Sequence, residues 1–150
     1  KKLWYKINSK PDVIIFEGWC VGAKSQKNSE LIKSKNSLEK ISDQNFIWRK
    51  YVNLQLKKNY KNLFRQIDEI IYLKANNFKM LQKWRIKQEK ALWLKSKNKR
   101  SLRIMNRGDI INFMQTYQRI TQNMFKDAPK YASIVMKLNS NHQISSIRFK

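Results

Sequence analysis

Apolar residues follow two different rhythms along this chain. Val13-Ile14-Ile15-Phe16 is an unbroken, largely β-branched run closed by Glu17-Gly18, the pattern of a strand buried on both faces in a parallel sheet. Ile67 to Leu73, centred on Ile70-Ile71-Tyr72-Leu73, and Ser133 to Leu138 repeat that texture. Asn139-Ser140-Asn141-His142 then reads as a turn, and Ile144 to Phe149 as a short closing strand.

The second rhythm is helical. Phe46, Tyr51, Leu54, Leu56, Tyr60, Leu63, Phe64 and Ile67 recur mostly at three- and four-residue steps, with Lys57, Lys58 and Lys61 between them, which predicts an amphipathic helix of about five turns. Phe78, Leu81, Trp84, Arg85, Gln88, Ala91 and Leu92 mark a second helix. Ile110, Phe113, Met114, Tyr117, Ile120 and Met124 mark a third, with Asp109 near its start and Asp127-Ala128-Pro129 expected to end it. Residues 24–45 have little apolar spacing and predict a loop or weakly helical excursion. Strands alternating with helices imply crossovers, a parallel sheet and a three-layer α/β architecture. A length of 150 residues suits one domain.

Composition adds a charge. With 33 Lys and Arg against 10 Asp and Glu, the formal net charge is +23, which raises the prospect of non-specific binding to a polyanion such as nucleic acid. A bias toward Lys, Asn and Ile, whose codons are A/T-rich, offers an equally good account of the same excess. Cys20 is the single cysteine, so no internal disulfide is available and no zinc-type Cys/His spacing exists. The longest apolar run is far short of the ~20 residues that a membrane helix needs. These features predict a chain of the cytoplasm with no membrane partner. The basic stretch over 95–107, which includes Lys99, Arg100 and Arg103, is too charged to pack and is expected to be a mobile, lid-like loop.

Glu17 is the first candidate for chemistry. Open parallel sheets bind ligands beyond the carboxyl ends of their strands, and a carboxylate placed there suits Mg²⁺, which takes hard oxygen ligands beside a transferring phosphoryl group. The plain alternative is an acid that happens to flank a turn. Arg85 and Glu89, four residues apart, equally describe a helix-surface ion pair. Trp19, Trp48, Trp84 and Trp93 read as packing residues, Cys20 as a buried thiol, and His142 as a turn residue with no acidic or thiol partner nearby.

Three segments taken together are more specific. Asp12-Val-Ile-Ile-Phe-Glu-Gly-Trp-Cys-Val-Gly22, Trp84-Arg-Ile-Lys-Gln-Glu89 and Tyr117-Gln-Arg-Ile-Thr121 occur in that order. The sequence over most of 12–147 thereby resembles the C-terminal half of D-glycerate 3-kinase-like proteins, a branch of the P-loop kinases near the uridine and pantothenate kinases. The resemblance implies transfer of the γ-phosphoryl group of ATP to a hydroxyl of a small hydroxy acid, with Mg²⁺. It makes Glu17 the catalytic and metal-binding acid at a strand end and Arg85 a catalytic lid residue. It places Arg119, Lys99, Arg100 and Arg103 toward nucleotide and phosphates.

The sequence departs from that pattern in one respect. It holds no G-x-x-x-x-G-K-[ST], and Gly18, Gly22 and Gly108 cannot form one. In the family that loop precedes the strand found here at Val13, so the resemblance implies an N-terminal truncation. The chain would then be inactive alone, or completed by a separate N-terminal chain. Two other readings stand beside it: a basic nucleic-acid-binding module, for which the helix from Trp48 to Phe64 is the candidate surface, and a degenerate interaction subunit.

Overall fold

The computed structural model describes residue 5, residues 7–95 and residues 104–150. Its elements run α1 (Asn28–Ile32), α2 (Ser37–Ser42), α3 (Ile47–Gln55), a π-helical turn (Leu56–Tyr60), α4 (Lys61–Phe64), β1 (Ile71–Lys74), α5 (Phe78–Lys95), α6 (Arg107–Tyr131), β2 (Ile134–Leu138) and β3 (Ile144–Phe149). The fold is α/β, a three-stranded sheet in the order β1-β2-β3 flanked by helices.

β1 and β2 are parallel, with Ile71 opposite Ile134 and Lys74 opposite Lys137. That arrangement requires a long crossover, which α5 and α6 provide. β3 is the closing strand expected after the 139–142 turn. It joins β2 antiparallel through the 139–143 connection, with a register irregularity at Lys137/Leu138, because so short a link can only reverse the chain.

The expected first strand differs. Residues 13–16 take up no regular secondary structure and join no ladder among the described residues. They are also open to solvent, from 56% exposed at Phe16 to 87% at Ile15. A strand is stabilised by its neighbours, and the apolar run carries the right residues without one beside it.

The two long helices form where the 3.6-residue rhythm placed them. α6 starts with a reciprocal cap: the Asn106 side chain accepts the Asp109 N–H at 3.0 Å, and the Asp109 carboxylate accepts the Asn106 N–H at 3.1 Å. Pro129 does not end it. The helix runs to Tyr131 and closes with the Ala132 N–H on the Ala128 carbonyl at 2.9 Å. A proline so near the end removes one N–H from a turn that is already finishing. The terminal carbonyls find donors in β3 and beyond it: Arg148 donates to the Pro129 carbonyl at 2.6 Å and Lys150 Nζ to that of Lys130 at 3.1 Å.

α6 also organises the core. Ile110 and Met114 pack with Phe78 at the start of α5, joined by Leu81, Met105 and Tyr117. About three turns on, Met124 and Ala128 pack with Ala23 and Leu56, joined by Cys20, Tyr72 and Tyr131. The polar 24–45 excursion is held to α6 by hydrogen bonds. The Gln115 side chain accepts from Ser37 Oγ and from the Leu38 N–H, both at 2.8 Å, and Asn36 Nδ2 donates to the Gln115 carbonyl at 2.9 Å.

Candidate functional site

An open cavity of about 1400 Å³ lies where the 11–19 segment, β1, α5 and α6 converge. Glu17 and Trp19 line it from the first segment, Asp68, Glu69, Ile71 and Leu73 from the approach to β1 and its edge, Arg85 and Gln88 from α5, Tyr117 and Thr121 from α6, and His142 from the β2–β3 turn. These residues come from well-separated parts of the chain, so topology rather than any local motif assembles the wall.

Local packing fixes the turn that follows Glu17. The Trp19 ring lies 4.8 Å from that of Tyr117 and 6.2 Å from that of Phe113, which pins the turn onto α6. Gly22 ends the turn at φ +78°, where a Cβ would come within 3.2 Å of Ile70, and its carbonyl accepts the Tyr131 hydroxyl at 2.8 Å. Just ahead of these anchors Glu17 is exposed, and among the described residues no hydrogen bond or ion pair holds its carboxylate.

Arg85 is half-buried and partly committed. It pairs with Glu89 at 2.9 Å and donates to the Gln88 side chain at 2.7 Å. Glu89 is buried, not on the helix surface, and its other oxygen accepts the Met105 N–H at 2.9 Å. The pair therefore ties the chain entering α6 to α5, while the Arg85 side chain borders the cavity. Its Nε has no hydrogen-bond partner among the described residues.

Burial pushes the Tyr117 hydroxyl up to about 12, the Arg85 charge working against that and Cys20 adding to it. Burial likewise raises Tyr131 to about 12, with Asp127 adding, and raises the Cys20 thiol. These groups stay neutral near pH 7, so Cys20 has the inert character of a packed thiol.

Arg119 lies elsewhere. It is buried, and each guanidinium nitrogen is engaged: Nε and Nη2 donate to Glu39 at 2.8 and 2.6 Å, Nη1 to the Glu30 carbonyl at 2.9 Å, and Nη2 to the Lys33 carbonyl at 2.7 Å. Arg49 completes the cluster, pairing with Glu39 at 3.2 Å and Asp43 at 3.1 Å. These bonds join α6 to α1 and α2, and Arg119 is not among the residues that line the cavity. Burial alone would raise the Glu39 carboxyl; hydrogen bonds from Arg119 and the Lys35 N–H, with the charges of Arg119 and Arg49, outweigh it and hold the group below its ordinary value. Lys99, Arg100 and Arg103 lie outside the described residues.

Sequence reasoning missed Asp68, Glu69, Thr121 and the cavity position of His142, whose ring sits 4.1 Å from that of Trp84. Among the described residues, no group of three His, Cys, Asp or Glu side chains is placed to hold a metal by itself. Mg²⁺ needs less than that, one or two carboxylates with water and phosphate oxygens, and the free Glu17 carboxylate fits that shared role. No described helix is long and apolar enough to cross a membrane.

No family model matches the sequence. Over 116 residues, 76% of the chain, it is 28% identical to the uncharacterized kinase mug58 of Schizosaccharomyces pombe, of which it spans 39%. A D-glycerate 3-kinase from Cryptococcus neoformans var. grubii superposes at a TM-score of 0.75 over 96% of this chain and 52% of its own, at 19% identity. The YGR205w protein superposes at 0.58 over 89% of this chain and 46% of its own, at 21% identity. The chain has the fold of about half of a D-glycerate 3-kinase, and its sequence is similar to that of a kinase.

Proposed function

We propose that residues 1–150 supply one part of an ATP-dependent small-molecule kinase that phosphorylates a hydroxyl of a small hydroxy acid such as D-glycerate. One observation carries this reading: a fold shared with D-glycerate 3-kinase across 96% of the chain, with Glu17 and Arg85 on the same cavity. ATP would supply the phosphoryl group, and Mg²⁺ would neutralise its charge.

The chain's own residues do the rest. Glu17, free and exposed at the end of the 13–16 run, offers oxygen to the metal and its waters. Arg85, anchored by Glu89 and Gln88, presents guanidinium N–H groups to phosphate or carboxylate oxygens. Trp19, Phe113 and Tyr117 stiffen the turn beneath Glu17, and such positioning is most of what phosphoryl transfer asks of a protein. The backbone cradle for the β- and γ-phosphates is not encoded in these residues. A polypeptide outside residues 1–150 contributes it, either a longer form of the same chain or a separate one.

The test is ADP release measured with D-glycerate. The 150-residue chain alone is expected to give no turnover above background. Adding the loop-bearing polypeptide is expected to produce ADP release that depends on the hydroxy acid. Release that ignores the acceptor would overturn the reading.

A second reading has its own observation. Trp48, Tyr51 and Tyr60 are exposed along the helical arm beside Lys50, Lys57, Lys58 and Lys61, which is the aromatic-and-basic texture of a single-strand-binding surface. Titration with single-stranded and duplex DNA at two salt concentrations is expected to show weak binding with a steep salt slope and no sequence preference. A slope near zero would remove the polyanion reading.

A further inference from the structure

The cavity sorts its charges by segment. Asp12 and Glu17 line it from the first segment, and Asp68 and Glu69 from the approach to β1. Among the described residues on its wall, Arg85 is the one Lys or Arg. An anionic group on a bound molecule therefore has one place to settle, beside Arg85, because the acids elsewhere on the wall repel it.

The neighbours of Arg85 are donors as well. Gln88 stands one helical turn on from both Trp84 and Arg85, so the three share a face of α5. Its side-chain oxygen accepts from Arg85 at 2.7 Å, which commits that oxygen and leaves the amide N–H₂. His142 arrives from the β2–β3 turn, its ring 4.1 Å from that of Trp84. Trp84 is held in turn, its Nε1 donating to the Ser140 carbonyl at 3.0 Å. The turn winds around Asn139, whose side-chain oxygen accepts the N–H groups of Asn141 and Gln143 at 2.9 and 3.0 Å. It holds His142 at φ +63°, a left-handed conformation that few residues with a Cβ adopt and that His enters more readily than most. Among the described residues nothing bonds the His142 ring nitrogens or the Gln88 N–H₂.

We propose that Arg85, Gln88 and His142 form the subsite for the acceptor's carboxylate, with His142 a specificity-determining residue. The proposal rests on the kinase reading for the class of acceptor. Glu89 decides between carboxylate and phosphate. It is buried and pairs with Arg85 at 2.9 Å, so the guanidinium offers directed N–H groups with its charge already matched. That suits a monoanion, whereas a triphosphate asks for unmatched cations and metal. An acceptor held by its carboxylate keeps its hydroxyls free to meet the phosphoryl group.

His142 is the single histidine, so its imidazole C–H proton resonances report on the subsite without assignment. The experiment titrates the 150-residue chain with D-glycerate, glycerol and inorganic phosphate at constant pH and ionic strength. D-glycerate is expected to shift both resonances saturably in the millimolar range. Glycerol, which lacks the carboxylate, gives no shift, and phosphate binds at least about tenfold more weakly than D-glycerate. Gln88→Glu, at an exposed position, keeps an oxygen for Arg85 but exchanges the N–H₂ for negative charge. It is expected to weaken D-glycerate binding by at least about tenfold with the unfolding temperature unchanged. His142→Asn retains a residue at ease in the left-handed region. With the loop-bearing polypeptide added, it is expected to raise KM for D-glycerate about tenfold while kcat and KM for ATP stay within about twofold.

No shift with D-glycerate, an equal shift with glycerol, tighter binding of phosphate, or undiminished binding by Gln88→Glu overturns the proposal. So does a His142→Asn variant in which KM rises for ATP and not for D-glycerate, which would set the ring against the nucleotide. The titrations need neither ATP nor turnover. A D-glycerate shift without ADP release keeps the subsite and removes the kinase reading, and ADP release without the shift does the reverse.

Discussion

Replacing Arg119 with alanine is expected to remove about 3–5 kcal/mol of folding stability, the usual cost of breaking a buried ion pair from one side. The cluster is balanced as it stands, with Arg49 and Arg119 facing Glu39 and Asp43. Without Arg119 one buried negative charge is unmatched, and the carbonyls of Glu30 and Lys33 lose their donors. In a domain of this size that is a fall in Tm of roughly 10 °C, measurable by calorimetry or urea titration.

The same cluster sets an acid limit. The Glu39 carboxyl is held below its ordinary value of 4.5 in the folded chain. Its contribution is therefore complete above that value and lost as pH falls through the lower folded one. Arg119→Ala is expected to weaken this acid-side dependence. Arg119→Lys does not restore it, because one ammonium cannot serve both Glu39 oxygens and two carbonyls as the guanidinium fork does. Loss of nucleotide affinity with unaltered stability would return Arg119 to the ligand side.

Glu17→Gln is the second large effect. On the proposed kinase reading, with the loop-bearing polypeptide added, it is expected to lower kcat on the order of 10²–10³-fold, the loss typical when one preorganised electrostatic group is removed, with the Mg²⁺ requirement rising. Because no partner among the described residues holds the exposed carboxylate, folding stability is expected to change by no more than about 0.5 kcal/mol. This pairing of outcomes separates a catalytic acid from a turn residue. Full activity in the variant would assign metal binding to another acid, with Asp68 and Glu69 lining the same cavity.

The sequence disclosed whatever repeats locally. α5, α6, β1 and β2 lie where periodicity or a β-branched run put them, because 3.6- and 2-residue patterns record which face is buried. The helical arm shows the limit of that logic. Arg49 and Asn53 are buried with Leu56, while Tyr51, Leu54 and Leu63 face solvent. The arm's inward face is a polar network, so the apolar stripe misidentified the packed side. Glu39 and Arg119 are 80 residues apart, and nothing local announces their union. α1 and α2 escaped for a related reason: Gln115 docks the start of α2 with hydrogen bonds and the Glu39–Arg119 cluster holds the rest, and neither leaves a hydrophobic rhythm. Glu17 and Arg85 were legible as candidates through their resemblance to a family, whereas Asp68, Glu69, Thr121 and His142 join them at one cavity only through the crossover.

The π-helical turn at Leu56–Tyr60 makes the arm sensitive to length. It interrupts the helix between Gln55 and Lys61, and turns of this kind hold one surplus residue within an otherwise regular helix. Excising Lys57, Lys58 or Asn59 would let the segment relax to continuous α-helix and rotate its downstream end by about 100°. Leu56 would keep its seat against Met124 and Ala128, but Leu63 would swing off the cavity wall it now borders. Point substitutions at the exposed Lys57, Lys58 and Asn59 are therefore cheap, while a single-codon deletion would change how the arm borders the cavity.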